Sequence, residues 1–328
     1  MKKSSIFLIA IFASAAVLFS SFKSADNSNL NPPNEFETLV NYLEANGNFI
    51  NGELPIMMAD EVKKNLKNPK YHIIDIRNDS WFEYGHIKGA ANVQSADLLT
   101  YFGNTITPSE FEKIILVCYS GQSAAYYSSL LRIAGYNNVY SMKWGMSSWR
   151  QDFAENSWLK NVKNDFADQL ETTENKKPEK GANPTLDTGK TEAKEILMTR
   201  LETLFATPYR DFIVKSPEVF ENPSNYFIVN YLDQENYNSG HIPQAVHYTP
   251  NNSLSITTDL LTLPTDKKVV VYDSTGQKAA YVIAYLNVLG YQTGNLSYGE
   301  NGFMNSVLKE KGWDAFTKKE INMFPVIE

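Results

Sequence analysis

Cys118 is the only cysteine in 328 residues, and the segment that holds it occurs twice. The first copy reads Ile115-Leu-Val-Cys-Tyr-Ser-Gly-Gln-Ser-Ala-Ala-Tyr126 and the second Val270-Val-Tyr-Asp-Ser-Thr-Gly-Gln-Lys-Ala-Ala-Tyr281. Each is an apolar run, a polar turn and the start of a helix. A side chain at such a junction meets the backbone N–H groups of the turn and of the first helical turn, which favour negative charge. A thiol placed there is favoured as thiolate, the nucleophilic form. In the second copy Asp273 takes the cysteine's place, and a carboxylate is no replacement for a thiol nucleophile. The pair therefore reads as one reactive copy and one silent copy.

The residues around the thiol narrow the chemistry. Small residues at Ser120 and Gly121 allow the loop to curl tightly. Position 123 is a serine and position 124 an alanine, so the first loop has no cation, whereas the second has Lys278 at the corresponding place. Without a guanidinium fork the loop is poorly suited to clamping phosphate, which argues against a cysteine phosphatase. The chain has four histidines without metal-ligand spacing and a single cysteine, so no zinc site, other metal or cofactor is expected.

These loops need elements to position them, and the repeat supplies two sets. His86 and His241, Gly121 and Gly276, and Tyr136 and Tyr291 each differ by 155 positions. The register slips by one near the end, where Gly145 matches Gly299 and Trp149 matches Phe303. Short runs apolar on both faces at 72–76 and 114–117, and at 226–229 and 268–272, suit buried parallel strands. After Cys118 the residues Ala124, Tyr127, Leu131 and Ala134 recur at helical spacing, and Gly135 follows where a left-handed cap is expected. Helical patterning also precedes each copy, at 36–43 and 193–204. Strands alternating with helices predict an α/β fold, each copy a central, mostly parallel sheet flanked by helices. Ligands then bind beyond the C-terminal ends of strands, where Cys118 lies.

The expected organisation is a signal peptide over 1–25, a catalytic domain over 34–163, a linker over 164–192 and a second, silent domain over 193–328. The linker is rich in Glu, Lys, Asn and Thr and has few large apolar side chains to offset its ordering entropy. Lys2 and Lys3 precede an apolar segment from Ile6 to Phe19, the pattern of a secretory signal. Export, to a periplasm for example, is expected, with no membrane span in the mature form; an uncleaved anchor is the alternative. A net charge of −7 with no basic cluster argues against a nucleic-acid partner.

Three blocks of the first copy resemble the rhodanese family. Ile73-Ile-Asp-Ile-Arg77 with Gly85-His-Ile-Lys-Gly-Ala-Ala-Asn-Val93 resembles its Asp-x-Arg strand and Gly-His-Ile turn. Cys118-Tyr-Ser-Gly-Gln-Ser resembles its active-site loop, and Gly135-Tyr136 with Lys143-Trp-Gly-Met-Ser-Ser-Trp149 its closing segment. The resemblance implies two tandem rhodanese-like domains and sulfur transfer through a Cys118 persulfide. A small donor such as thiosulfate or a polysulfide would load it, and a thiophilic acceptor would take the sulfur; a partner sulfur-carrier protein is a further candidate. Amides of Tyr119, Ser120, Gly121, Gln122, Ser123 and Ala124 would hold the charged sulfur, with side-chain bonds from Gln122 and Ser123. Asp75, Arg77 and His86 would support the base of the loop. The alternative is a rhodanese-like module that binds, carries sulfur or senses redox state without turnover.

Overall fold

The structure is a computed structural model that describes residues 34–47 and 54–328. The segment read as a signal peptide lies outside the described residues. No helix among the described residues is long and apolar enough to cross a membrane.

Each copy folds around one five-stranded sheet. The first is β1 (Ile56–Met57), β2 (Tyr71–Asp75), β3 (Ala91–Asn92), β4 (Lys113–Val117) and β5 (Val139–Met142), in the order β1-β5-β4-β2-β3. The second is β6 (Ile213–Val214), β7 (Tyr226–Asn230), β8 (Val246–His247), β9 (Lys268–Tyr272) and β10 (Thr293–Leu296), in the equivalent order β6-β10-β9-β7-β8. All strand pairs in both sheets are parallel. The central strands β4 and β9 are apolar on both faces because helices cover both faces of a parallel sheet. The expected α/β architecture is present twice.

The copies share a core. Helix Gln122–Ile133, which follows Cys118, packs against helix Gln277–Val288, which follows Asp273. Their apolar side chains, Tyr126, Leu130, Ile283 and Leu286 among them, merge into one cluster that spans both copies. Every residue of the second helix except Lys278 is buried, as befits a helix with no polar face. The opposite face of each sheet carries its own smaller core, built around Ile115, Met146 and Trp149 in the first copy and Val270, Leu296 and Phe303 in the second.

The segments flanking each copy cross to the other. Helix Glu35–Asn46 precedes the first copy but lies on the second, where Phe36 meets Tyr291 edge-on at 6.3 Å and Glu44 accepts from Ile256 N at 2.7 Å. Helix Ala193–Ala206 precedes the second copy, and its Phe205 stacks on Tyr127 of the first at 5.9 Å. Beyond each copy the chain straps across its neighbour: Glu171 pairs backbone to backbone with His241, and Ile327 does the same with His86. The segment 164–192 is largely exposed, yet it is anchored to both copies. Pro184 and Leu186 are buried against Gly290, and Thr188 and Gly189 donate to Glu35. A polar segment can be laid down in this way because backbone hydrogen bonds and two apolar anchors hold it in place of a core of its own.

Candidate active site

Cys118 leaves the C-terminal end of β4 in the middle of its sheet. The chain then turns through Gly121, whose φ of +89° places it in the left-handed region, and enters helix Gln122–Ile133. Four carbonyls of the turn are tied down. Cys118 O accepts from Met146 N at 2.8 Å, Tyr119 O from Ser147 Oγ at 3.0 Å, and Ser120 O from Trp158 Nε1 at 3.0 Å. Gly121 O accepts from Ala125 N at 3.0 Å within the helix and from Gln277 Nε2 of the second copy at 3.3 Å. Gly145 permits the close approach of the closing turn, since a Cβ there would lie 2.5 Å from Cys118 O and 2.6 Å from Gly121 N. With the carbonyls engaged, N–H groups are left to point at the sulfur: Cys118 Sγ accepts from Gly121 N at 3.1 Å and Ala124 N at 3.4 Å.

The second copy shows what this cradle accommodates. Asp273 Oδ2 accepts from Thr275 N at 3.0 Å and Thr275 Oγ1 at 2.8 Å, and Oδ1 from Ala279 N at 3.0 Å. Ala279 is the counterpart of Ala124, so the carboxylate sits on the donor that faces sulfur in the first copy. Beneath it Glu300 is buried, and burial raises its pKa from 4.5 to about 8. The second loop is thus a cradle filled by its own acid.

The remaining residues of the site divide by position. Asp75 and Arg77 form a buried pair, Nη2 to Oδ2 at 2.7 Å, and Nη2 also donates to Gly85 O at 2.7 Å. The guanidinium lies 5.9 Å from the Tyr119 ring and 5.0 Å from the Phe153 ring, which places it beneath the loop. His86 stacks on Phe82 and bonds Phe82 O through Nδ1; its backbone holds the C-terminal strap. Gln122 turns its carboxamide away from sulfur: Oε1 accepts from Tyr298 N at 3.0 Å and Asn295 Nδ2 at 3.1 Å, and Nε2 donates to Ser120 Oγ. Ser123 and Tyr119 are half-buried and line a cleft, and Ala124 contributes its N–H.

That cleft has a volume of about 350 Å³ and lies between the copies. Trp81, Tyr119 and Ser120 form its first-copy side, and Tyr209, Ser297 and Tyr298 come from the second copy. Among the described residues no charged side chain lines it. Burial raises the pKa of Tyr209 and Tyr298, so both phenols stay protonated near neutrality and can donate to an anion. Cys118 itself is 1% exposed, so its sulfur is deeply set. Tyr209, Tyr298, Trp158 and Gln277 were not singled out from sequence. The repeat carried a signal for two of them: Gln277 matches Gln122, and Tyr298 matches Trp144 in the closing turn.

The family model described as Rhodanese-like domain matches residues 58–152 and 219–319. Over 84 residues the chain is 33% identical to the thiosulfate sulfurtransferase GlpE of Pseudoalteromonas translucida, covering 25% of this chain and 76% of that protein. It is 32% identical over 80 residues to the GlpE of Shewanella oneidensis, covering 24% and 75% respectively. Among solved structures, a thiosulfate sulfurtransferase from Pseudomonas aeruginosa aligns with 18% identity and a TM-score of 0.28, covering 90% of this chain and 48% of that one.

Proposed function

The chain belongs to the rhodanese-like family, and from that premise we propose that it is a sulfurtransferase in which Cys118 carries sulfane sulfur as a persulfide. The observation that carries this reading is the pair of N–H groups on Cys118 Sγ, matched in the second copy by the same type of donors on a carboxylate. Such donors stabilise a thiolate before reaction and a charged persulfide after it.

In the first half-reaction the Cys118 thiolate attacks the outer sulfur of thiosulfate. A bond forms between Sγ and that sulfur, the S–S bond of thiosulfate breaks, and sulfite leaves with the electron pair. In the second, a thiophilic acceptor attacks the terminal sulfur and the electron pair returns to Sγ. Dividing the transfer in two is ordinary covalent catalysis. The neutral cleft and the phenols of Tyr209 and Tyr298 stand where the first loop lacks a cation at Ser123. Asp75 and Arg77 act as support, because each neutralises the other. The second copy is silent in chemistry and forms a wall of the site. We also propose that the protein is exported, on the apolar segment that follows Lys2 and Lys3.

Intact mass after incubation with thiosulfate tests the mechanism. The expected result is a gain of one sulfur, about 32 mass units, discharged by cyanide as thiocyanate and absent in Cys118→Ser. The 1% exposure of Cys118 favours a second reading, a module that holds sulfur or senses redox state without turnover. No gain from thiosulfate or polysulfide, with the thiol still alkylated by iodoacetamide, would replace the first reading with that one.

A further inference from the structure

Beside the cleft at the loop that follows Cys118 lies a second cavity, also about 350 Å³. The two share Ile213, Ser297 and Tyr298, so they are lobes of one opening between the copies. Their chemistry differs. The lobe at the loop is uncharged, whereas the second is lined by Lys163, Lys215 and Asp165. None of these three belongs to an ion pair among the described residues. The lobe therefore presents a net positive charge in a protein whose overall charge is −7. The same lobe is also lined by Phe166, Ile213 and Pro217, which give it apolar surface.

We propose that this second lobe is the subsite for the remote, anionic end of a small thiol acceptor, with Lys163 and Lys215 facing its carboxylate and its thiol lying over the Cys118 loop. The inference rests on the persulfide reading and adds the acceptor to it. Size selects a small molecule: each lobe falls within the range of about 300–1,000 Å³ typical of small-ligand pockets. Depth selects against a folded partner, because a flat protein surface cannot bring a thiol to a sulfur that is 1% exposed. Charge selects an anion, since Lys163 and Lys215 outweigh Asp165, and the common anionic end of a small thiol is a carboxylate. Ile213, Pro217 and Phe166 would cover the aliphatic stem between the two ends. The step balances: the acceptor thiolate bonds the terminal sulfur, the bond from that sulfur to Cys118 Sγ breaks, and Sγ keeps the electron pair. The products are the acceptor persulfide and the free Cys118 thiolate.

The test compares two acceptors, glutathione, whose carboxylates are remote from its thiol, and 2-mercaptoethanol, which has none. The full chain is first loaded with thiosulfate and the bound sulfur confirmed by mass; kcat and KM are then measured for both thiols. Replacing both lysines, Lys163→Ala with Lys215→Ala, should lower the preference for glutathione over 2-mercaptoethanol about fivefold, chiefly through KM, as two exposed charge contacts allow. Added salt should erode the same preference in the unaltered protein. An unchanged preference in a variant that loads normally overturns the subsite and leaves the persulfide reading standing. Failure of the unaltered protein to load overturns both.

Discussion

Gln122 and Gln277 hold equivalent places in the two copies, and each sends its carboxamide into the other copy. Gln277 Oε1 accepts from Trp144 N at 2.8 Å, and Gln122 Oε1 accepts from Tyr298 N at 3.0 Å. Trp144 and Tyr298 are themselves equivalent, both with φ near +60° at the start of the closing turn. The glycines beside them complete the exchange. A Cβ on Gly121 would lie 2.4 Å from Gln277 Nε2, and one on Gly276 would lie 2.5 Å from Gln122 Oε1. Two loops that lost their chemical equivalence at residues 118 and 273 have kept their mechanical dependence on one another.

That dependence predicts that Gln277 positions the reactive loop from outside its own domain. Gln277→Leu keeps similar volume but removes the acceptor for the buried Trp144 N–H and a donor to Gly121 O. A buried donor left without a partner costs about 1–3 kcal/mol. Urea unfolding should show a loss of that size, and sulfur loading from thiosulfate should slow in the folded variant. Restoration by Gln277→Asn is not expected, because the shorter side chain cannot span the gap. Unaltered stability together with unaltered loading would remove Gln277 from any positioning role.

Asp273 offers the opposite separation. Its carboxylate receives three donors, so Asp273→Ala strands the buried N–H groups of Thr275 and Ala279. Hydrogen bonds to a charged group support a loss of about 2–4 kcal/mol in unfolding free energy. Thiocyanate formation per folded molecule should stay at the level of the unaltered protein, since Asp273 lies in the loop without a thiol. A fall in that rate, measured where the variant is fully folded, would mean that the second loop takes part in the chemistry.

The sequence made the local elements and the thiol loop legible because their signals are local. Lys268–Tyr272 is a strand with the limits expected from its apolar run, and helix Ala193–Ala206 begins where its pattern begins. The crossing of flanking segments was not legible. Phe36 and Leu39 look like the apolar face of any helix, and nothing in their spacing says which copy they cover. From its own loop alone Gln122 would face the sulfur, whereas its partners Asn295 and Tyr298 come from a segment more than 170 positions away. One hint was present: the helix after Asp273 has almost no polar face, so it had to be covered on every side.

The C-terminal strap is predicted to support the first copy rather than the second. Asn322 N and Phe324 N donate to Ser148 O and Trp149 O, and Trp149 Nε1 donates to Pro325 O at 3.0 Å. Phe324 meets the Trp149 ring at 5.0 Å, and Val326 packs on the same outer core. Deleting residues 322–328 should expose that core and destabilise the protein by roughly 2–4 kcal/mol, the scale for losing two packed apolar side chains. Tryptophan fluorescence should report solvent at Trp149, and Phe324→Ala alone should reproduce part of the effect. An unchanged melting temperature in the deletion would show that the strap rests on the surface without holding it.

Glu300 should give the second copy a distinctive pH dependence. Its side chain is fully buried and accepts from Ser274 Oγ at 2.9 Å and Asn236 Nδ2 at 3.1 Å. Burial is the main cause that raises its pKa from 4.5 to about 8, and the nearby charges of Asp273 and Asp233 push in the same direction. A carboxyl group with a raised folded pKa holds its proton more tightly in the folded protein than in the unfolded chain. Its contribution to stability is therefore complete below the ordinary value of 4.5, declines as pH rises, and is exhausted once pH passes about 8. Glu300→Gln keeps a neutral side chain of the same shape at every pH and removes this slope. Urea midpoints measured between about pH 5 and pH 8 should fall more steeply in the unaltered protein than in the variant, with the variant the more stable of the two at the upper end. Parallel curves would mean that Glu300 is ionised in the folded protein, its charge held by Ser274 and Asn236.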